Sequence, residues 1–86
     1  MAMVSFGQGE RTFWHLHHGE QLLYVISGMG WVQKAGEECL EIRPGDLVYV
    51  APRENHWHGA QATVSMQHLA VMIGETEWGE EVPDPG

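Results

Sequence analysis

Apolar and polar side chains alternate along most of this chain, and Gly, Pro or Asn interrupts the alternation about every ten residues. No window sustains the spacing of an amphipathic helix, and no repeat or linker divides the sequence. Strands are predicted near Val4–Phe6, Thr12–His17, Gln21–Ser27, Gly30–Lys34, Cys39–Ile42, Leu47–Val50 and Val64–Ile73, with a shorter one around Trp57–Ala60. So many short strands in 86 residues predict one all-β domain, built as a barrel or as two packed sheets.

The charge of the chain is strongly acidic and unevenly distributed. The formal net charge is −8, and the acidic residues are concentrated after position 74. We therefore expect a barrel domain over residues 1–74 and an acidic C-terminal tail over residues 75–86, which crosses the surface and is anchored by Trp78. Only four Lys and Arg residues are present, so no basic surface is expected for nucleic acid or for an anionic membrane.

The single cysteine, Cys39, cannot form a disulfide within the chain, and we interpret it as a small apolar residue. A chain without disulfides is typical of a reducing compartment. The sequence also shows no long apolar span and no leader-like segment. These features predict a soluble, cytoplasmic protein.

Histidines are unusually frequent, and four of them form two pairs with the spacing His-x-His. His15 and His17 lie in "TFWHLH", and His56 and His58 lie in "HWHGA". Side chains alternate between the two faces of a strand, so the members of each pair point to the same face. Imidazole is a common ligand of Zn, Cu, Fe and Ni. Two pairs on separate strands therefore predict a metal site in the interior.

Strand alternation also selects between two neighbouring polar residues, Glu20 and Gln21. If Leu23 and Val25 face the interior with the histidines, Gln21 does so too and Glu20 faces outward. A carboxylate is the stronger ligand for a divalent cation, but the geometry favours the amide. His18 falls out of the alternation, and we expect it in solvent at the start of a turn.

His68 lies on the face of its predicted strand that also carries Met66, Ala70 and Met72. A lone histidine on an apolar face is more often a hydrogen-bonded core residue than a ligand, and for His68 alone we favour that interpretation. Together with the two pairs, however, it becomes a fifth histidine directed at one interior. The predicted wall around it is apolar, typical of a pocket for a small hydrophobic substrate, and is formed by Phe13, Leu23, Val25, Met66 and Met72.

The stretch from Gly9 to Gly28, which contains His15, His17 and Gln21, resembles the first signature of the cupin superfamily. That signature normally carries Glu at the position of Gln21.

A second stretch, "GDLVYVAPRENH", ends at His56 and resembles the second cupin signature. Two of its positions depart from the usual pattern, with Ala51 in place of proline and Arg53 in place of glycine. Beyond the stretch, Ala60 stands where the signature ends in asparagine. The resemblance is closest to small single-domain cupins, among them manganese-dependent hydroxynitrile lyases and the cupins associated with carboxymuconolactone decarboxylases.

The resemblance implies a small jelly-roll barrel of two antiparallel sheets that binds one divalent transition metal per chain. Manganese is the first expectation, and iron, zinc, nickel and copper remain alternatives. By resemblance the metal ligands are His15, His17, Gln21 and His56. His68 is then a pocket residue near the open coordination positions, and His58 a further wall residue.

Cupins of this group usually have one or two strands before the segment that is "VSFGQGERT" in this chain, and here only the strand Val4–Phe6 remains. Either the chain is shortened, or another subunit completes the edge of the barrel. Uncovered edge strands tend to pair, so we expect a homodimer that shares strands.

A site of three histidines and one glutamine has no charged ligand, so a bound dication keeps its full charge. That charge suits Lewis-acid chemistry on a small hydroxy or carbonyl substrate, with neutral His68 as the base and His58 as the alternative. We therefore expect a metal-dependent lyase, for example one that acts on cyanohydrins. The alternatives are a metal-dependent dioxygenase and a barrel that binds metal or ligand without catalysis.

Overall fold

The computed structural model describes residues 1–82 of the chain. Within this range it contains nine β-strands and no helix, and therefore no helix that could cross a membrane. The strands are β1 (Ala2–Phe6), β2 (His15–His17), β3 (Gln21–Gly28), β4 (Gly30–Lys34), β5 (Leu40–Ile42), β6 (Leu47–Val50), β7 (His56–Ala60), β8 (Met66–Met72) and β9 (Thr76–Trp78).

The strands form two antiparallel sheets. The four-stranded sheet has the order β1-β8-β3-β6, and the five-stranded sheet has the order β5-β4-β7-β2-β9. Strands that follow one another in the sequence are often placed in different sheets, as β2 and β3 are. The predicted all-β architecture of two antiparallel sheets is confirmed.

The alternation of β3 shows how the sequence directs side chains into the space between the sheets. Leu23 and Val25 are fully buried, whereas Leu22 and Tyr24 on the opposite face are exposed. The resulting apolar core occupies one end of the interior and consists of Val25, Val32, Ile42, Ala60 and Met66, with Phe6 and Val48 packed against it. The other end of the interior contains the histidines.

Strand β2 is shorter than the predicted strand Thr12–His17. It begins at His15, because the preceding residues make other backbone contacts: the Thr12 N–H donates to the His58 carbonyl, and the Trp14 N–H donates to the Glu80 carbonyl. Phe13 therefore lies outside the alternation of β2, and its side chain is 50% exposed.

Strand β9 lies in the segment that the sequence analysis assigned to an acidic tail. It pairs with β2 at the edge of the five-stranded sheet and brings Thr76 opposite His17 and Trp78 opposite His15. Two acidic neighbours and a length of three residues give this segment too weak a strand pattern to predict. Strand β1 forms one edge of the four-stranded sheet, and its outer side has no partner strand among residues 1–82. Strand sharing with a second subunit stays a prediction.

Arg53, which replaces the usual glycine of the second cupin-like stretch, has a φ of 62°. This is the left-handed region that favours glycine. Its N–H donates to the His17 carbonyl over 2.7 Å. The turn that precedes His56 is therefore tied to the strand that contains His15 and His17, and it keeps its conformation even with arginine at this position.

Candidate metal centre

Five histidines and Gln21 are buried together between the two sheets. The five-stranded sheet contributes His15 and His17 from β2 and His56 and His58 from β7, while the four-stranded sheet contributes Gln21 from β3 and His68 from β8. Each of these side chains is at most 4% exposed. The alternation of four strands thus brings the predicted residues into one interior site.

The ring contacts give the arrangement of the cluster. The rings of His15 and His56 lie 4.2 Å apart between centroids, and His17 lies 5.0 Å from His15 and 5.5 Å from His56. His15, His56 and His58 each offer a nitrogen within 4.8 Å of the other two, which is close enough for one metal ion. By resemblance, the third histidine ligand is His17 rather than His58. The structure places the rings of both residues close to those of His15 and His56.

Backbone carbonyls fix the tautomers of two histidines. Nδ1 of His15 lies 2.8 Å from the Phe13 carbonyl, and Nδ1 of His56 lies 2.9 Å from the Glu54 carbonyl. A carbonyl oxygen only accepts, so Nδ1 carries the proton and donates it. The lone pair of each ring is then on Nε2, which is the form in which an imidazole binds a metal.

His56 and Gln21 make a contact that two hydrogen-bond acceptors would normally avoid. Nε2 of His56 lies 2.9 Å from Oε1 of Gln21, although the proton of the neutral ring is already on Nδ1. Either the amide is rotated so that its NH₂ group donates, or a cation lies against both lone pairs. Two ligands about 2.1 Å from a cation at adjacent octahedral positions lie about 3 Å apart, so the contact fits a shared metal ion.

His17 presents a second unused lone pair. Its Nδ1 lies 2.8 Å from the Thr76 hydroxyl, and its buried Nε2 has no aligned hydrogen-bond partner among residues 1–82. A buried nitrogen without a partner is unfavourable unless a ligand or ion occupies its lone pair. The donor set of this cluster therefore fits a divalent transition metal.

Burial keeps the whole cluster uncharged. Desolvation is the main cause that lowers the pKa of His15 and His17, and it lowers the pKa of His56 to about 4. Burial also lowers the pKa of His58 well below its usual value, and the neighbouring histidines lower it further. All four rings are therefore neutral at pH 7, as metal binding requires.

His68 lies on the opposite sheet from the two histidine pairs. Its ring is fully buried and 5.0 Å from that of His58, and neither ring nitrogen has an aligned hydrogen bond to residues 1–82. Burial lowers the pKa of His68, partly offset by the nearby Leu69 backbone. The ring is therefore neutral and available to accept a proton.

A cavity of about 230 Å³ joins these groups and contains most of the cluster. Its apolar walls come mainly from β1 and β8. The lining residues are Val4, Phe6, Thr12, His15, His17, Gln21, His58, His68, Ala70, Met72, Thr76 and Trp78. A larger depression of about 360 Å³ lies beside β5 and β6, but no histidine lines it, so the candidate metal site lies in the smaller cavity.

The predicted wall agrees with the observed one only in part. Met72 and His58 line the cavity as expected. Leu23, Val25 and Met66 are fully buried but lie outside the lining, because they fill the space between the sheets instead. Phe13 also lies outside it, since the alternation of β2 begins two residues later.

Several lining residues were not predicted from the sequence. Val4 and Phe6 were in a predicted strand, but nothing in the sequence indicated that β1 pairs with β8 and covers the cavity. Thr76 and Trp78 share one face of β9 and were missed with that strand. The Phe6 ring lies 5.7 Å from the rings of both His58 and His68, so it forms the apolar side of the site.

The two polar residues that we expected on the outside lie there. His18 pairs with Glu77, and the Tyr49 hydroxyl donates to the exposed Glu20 carboxylate. Gln21 is 3% exposed on the opposite face of β3, so the expected alternation at this position is confirmed.

The pKa shifts predict that acid destabilises the metal-free protein. In the unfolded chain this histidine takes up a proton near pH 6.5, whereas buried His56 does so only near pH 4. The contribution of neutral His56 to the stability of the folded protein is therefore complete above pH 6.5 and is lost as the pH falls toward 4. For His56 alone this amounts to about 3 kcal/mol. Urea denaturation in EDTA at pH 4 to 8 measures it.

The same experiment on His56→Gln should give a shallower pH dependence, whereas His18→Gln, a surface control, should match the unchanged protein. A free energy of unfolding that stays constant between pH 7 and pH 5 would contradict the prediction.

Comparison with known proteins identifies the family. A family model described as a cupin domain matches residues 2–72, which include β1 to β8. An (R)-mandelonitrile lyase from Granulicella tundricola is 46% identical over 87 residues. The alignment covers 96% of this chain and 66% of that protein, so this chain spans slightly less than two thirds of the relative's length.

Solved structures have the same fold. A cupin-like protein from Thermotoga maritima superimposes with a TM-score of 0.92 at 35% identity, over 95% of this chain and 65% of that protein. A cupin superfamily protein from Desulfitobacterium hafniense gives a TM-score of 0.76 at 18% identity, over 85% of this chain and 64% of that protein, a likeness of fold alone. The two sheets are those of the cupin jelly roll, and this chain belongs to the cupin family.

Proposed function

We propose that this cupin is a metal-dependent lyase that acts on a small hydroxy or carbonyl compound, with a cyanohydrin as the first candidate. The observation that carries the proposal is the buried Nε2 of His17, which has no aligned partner among residues 1–82, beside the 2.9 Å contact between Nε2 of His56 and Oε1 of Gln21. The relative that is 46% identical is a mandelonitrile lyase, and its name supports the choice of substrate class.

The proposed metal ligands are His15, His17, Gln21 and His56, with manganese as the first candidate metal. None of these ligands carries a charge at neutral pH. When bound, the dication supplies a Lewis acid that polarises a hydroxyl or carbonyl oxygen and stabilises the negative charge that develops on it. His58, which lies within reach of His15 and His56, completes the wall beside the ligands.

His68 is the proposed base. Both of its ring nitrogens lack an aligned hydrogen bond, and the ring lines the cavity across from the two histidine pairs. For a cyanohydrin, one neutral nitrogen takes the hydroxyl proton while the oxygen forms the carbonyl double bond. The carbon–carbon bond breaks, its electron pair leaves with cyanide, and the protonated His68 returns the proton to form hydrogen cyanide.

The cavity walls select a small substrate with an apolar group. Val4, Phe6, Ala70 and Met72 cover the side of the cavity that faces away from the His-x-His pairs. The volume of about 230 Å³ lies below the range of about 300–1,000 Å³ that is typical of ligand pockets, so a bulky substrate is excluded. These side chains also keep water from the reacting atoms.

Metal content tests the ligand assignment. Gln21→Ala should lower metal occupancy, because it removes the only ligand contributed by the four-stranded sheet, whereas Glu20→Ala is a matched control that should keep it. Elemental analysis of protein purified without a metal-affinity column measures both. About one equivalent per chain is expected in the unchanged protein and in Glu20→Ala.

The opposite result for the two variants would mean that the carboxylate is the ligand. Unchanged protein that contains no metal and takes up none on titration, with the fold intact, would contradict the metal site. The histidines would then be core and pocket residues of a barrel that binds a ligand without catalysis.

Turnover tests the role of His68. His68→Ala should retain metal and lose activity by about 10²–10⁴-fold on cyanohydrins such as mandelonitrile, because the base is missing while the Lewis acid remains. Release of aldehyde and cyanide, measured together with metal content, checks the prediction. Loss of metal in this variant would instead make His68 a ligand, and unchanged turnover would show that another group takes the proton.

A further inference from the structure

We infer that Thr76 of β9 is a positioning residue of the metal centre, which holds His17 in the ligating tautomer. The inference rests on the proposed metal site. It assigns a role to the segment after residue 74, which the sequence pattern indicates only as an acidic tail.

The contact is direct and lies within the cavity. The Thr76 hydroxyl lies 2.8 Å from Nδ1 of His17, and the two residues are opposite each other in the register of β2 and β9. A hydroxyl can accept or donate, so the contact alone leaves the tautomer open. Burial lowers the pKa of the His17 ring, and the nearby Gln21 side chain raises it in part. That contact is not aligned, so a proton on Nε2 of His17 would be buried without an aligned acceptor among residues 1–82. The proton is therefore on Nδ1, which donates a hydrogen bond to the Thr76 hydroxyl, and Nε2 keeps its lone pair.

His17 differs in this respect from the other two proposed histidine ligands. His15 and His56 donate to backbone carbonyls, which no side-chain substitution removes. The acceptor of His17 is a side chain on an edge strand, so the orientation of this ring depends on Thr76. Groups that orient ligand histidines in this way typically change metal affinity about 10–100-fold.

Other contacts hold β9 in place. The Trp78 ring lies 4.9 Å from His15 and lines the cavity, and Glu77 pairs with His18 on the outer side. The Trp14 N–H donates to the Glu80 carbonyl just beyond the strand. Because these contacts do not involve the Thr76 hydroxyl, removing that hydroxyl should leave β9 paired with β2.

Thr76→Val tests the inference, since it keeps the shape and β-propensity of threonine and removes only the hydroxyl. We expect the dissociation constant for manganese to rise about 10–100-fold in Thr76→Val and to stay within about threefold in Thr76→Ser. Thr63→Val, in the exposed loop between β7 and β8, is the matched control and should bind like the unchanged protein. Competition with a fluorescent chelator measures affinity, and circular dichroism confirms the fold of each metal-free variant.

Equal affinity of Thr76→Val and the unchanged protein would overturn the inference and leave the proposed function intact. Equal weakening in Thr76→Ser would also overturn it, because the loss would then not be due to the hydroxyl. Failure of the unchanged protein to bind manganese or zinc would contradict the metal site itself, so the two failures are distinguishable.

Discussion

The burial of five neutral imidazoles between two sheets is the constraint on which the rest of this structure depends. A charged ring in that position would be strongly unfavourable, and burial accordingly lowers the pKa of each ring of the cluster. Each neutral ring has one nitrogen that donates and one that accepts a hydrogen bond. The surrounding carbonyls satisfy only some of these nitrogens. The buried Nε2 of His17, which has no aligned partner among residues 1–82, and the close contact between His56 and Gln21 make the interior suited to a cation, and the same neutrality leaves His68 able to take a proton.

The site combines two kinds of support. His15 and His56 are oriented by backbone carbonyls, whereas His17 is oriented by a side chain of an edge strand. The apolar core occupies the opposite end of the interior and packs the sheets together without contributing to the cavity. Phe6, which packs against that core and also lines the cavity, joins the two ends of the same small barrel.

The strand pattern predicted much of the fold, because alternation depends only on local geometry. It directed Gln21 inward and Glu20 outward, and it brought both His-x-His pairs to one interior. The strand pattern failed where a strand had no periodic signal or began later than predicted. Thr76 and Trp78 lie in a three-residue strand that follows Glu75 and contains Glu77. Phe13 precedes β2 because backbone contacts with β7 and with Glu80 delay the start of that strand to His15.

The sequence by itself determined the fold class and the residue types of the site, since a period of two and a His-x-His spacing fix which side chains share a face of a strand. Only the tertiary structure decided which faces meet. It placed Leu23, Val25 and Met66 in the core rather than in the cavity wall, and it placed Val4, Phe6, Thr76 and Trp78 around the histidines. The reason is that pairing of β1 with β8 and of β9 with β2 joins segments far apart in the chain, and no local pattern encodes such contacts.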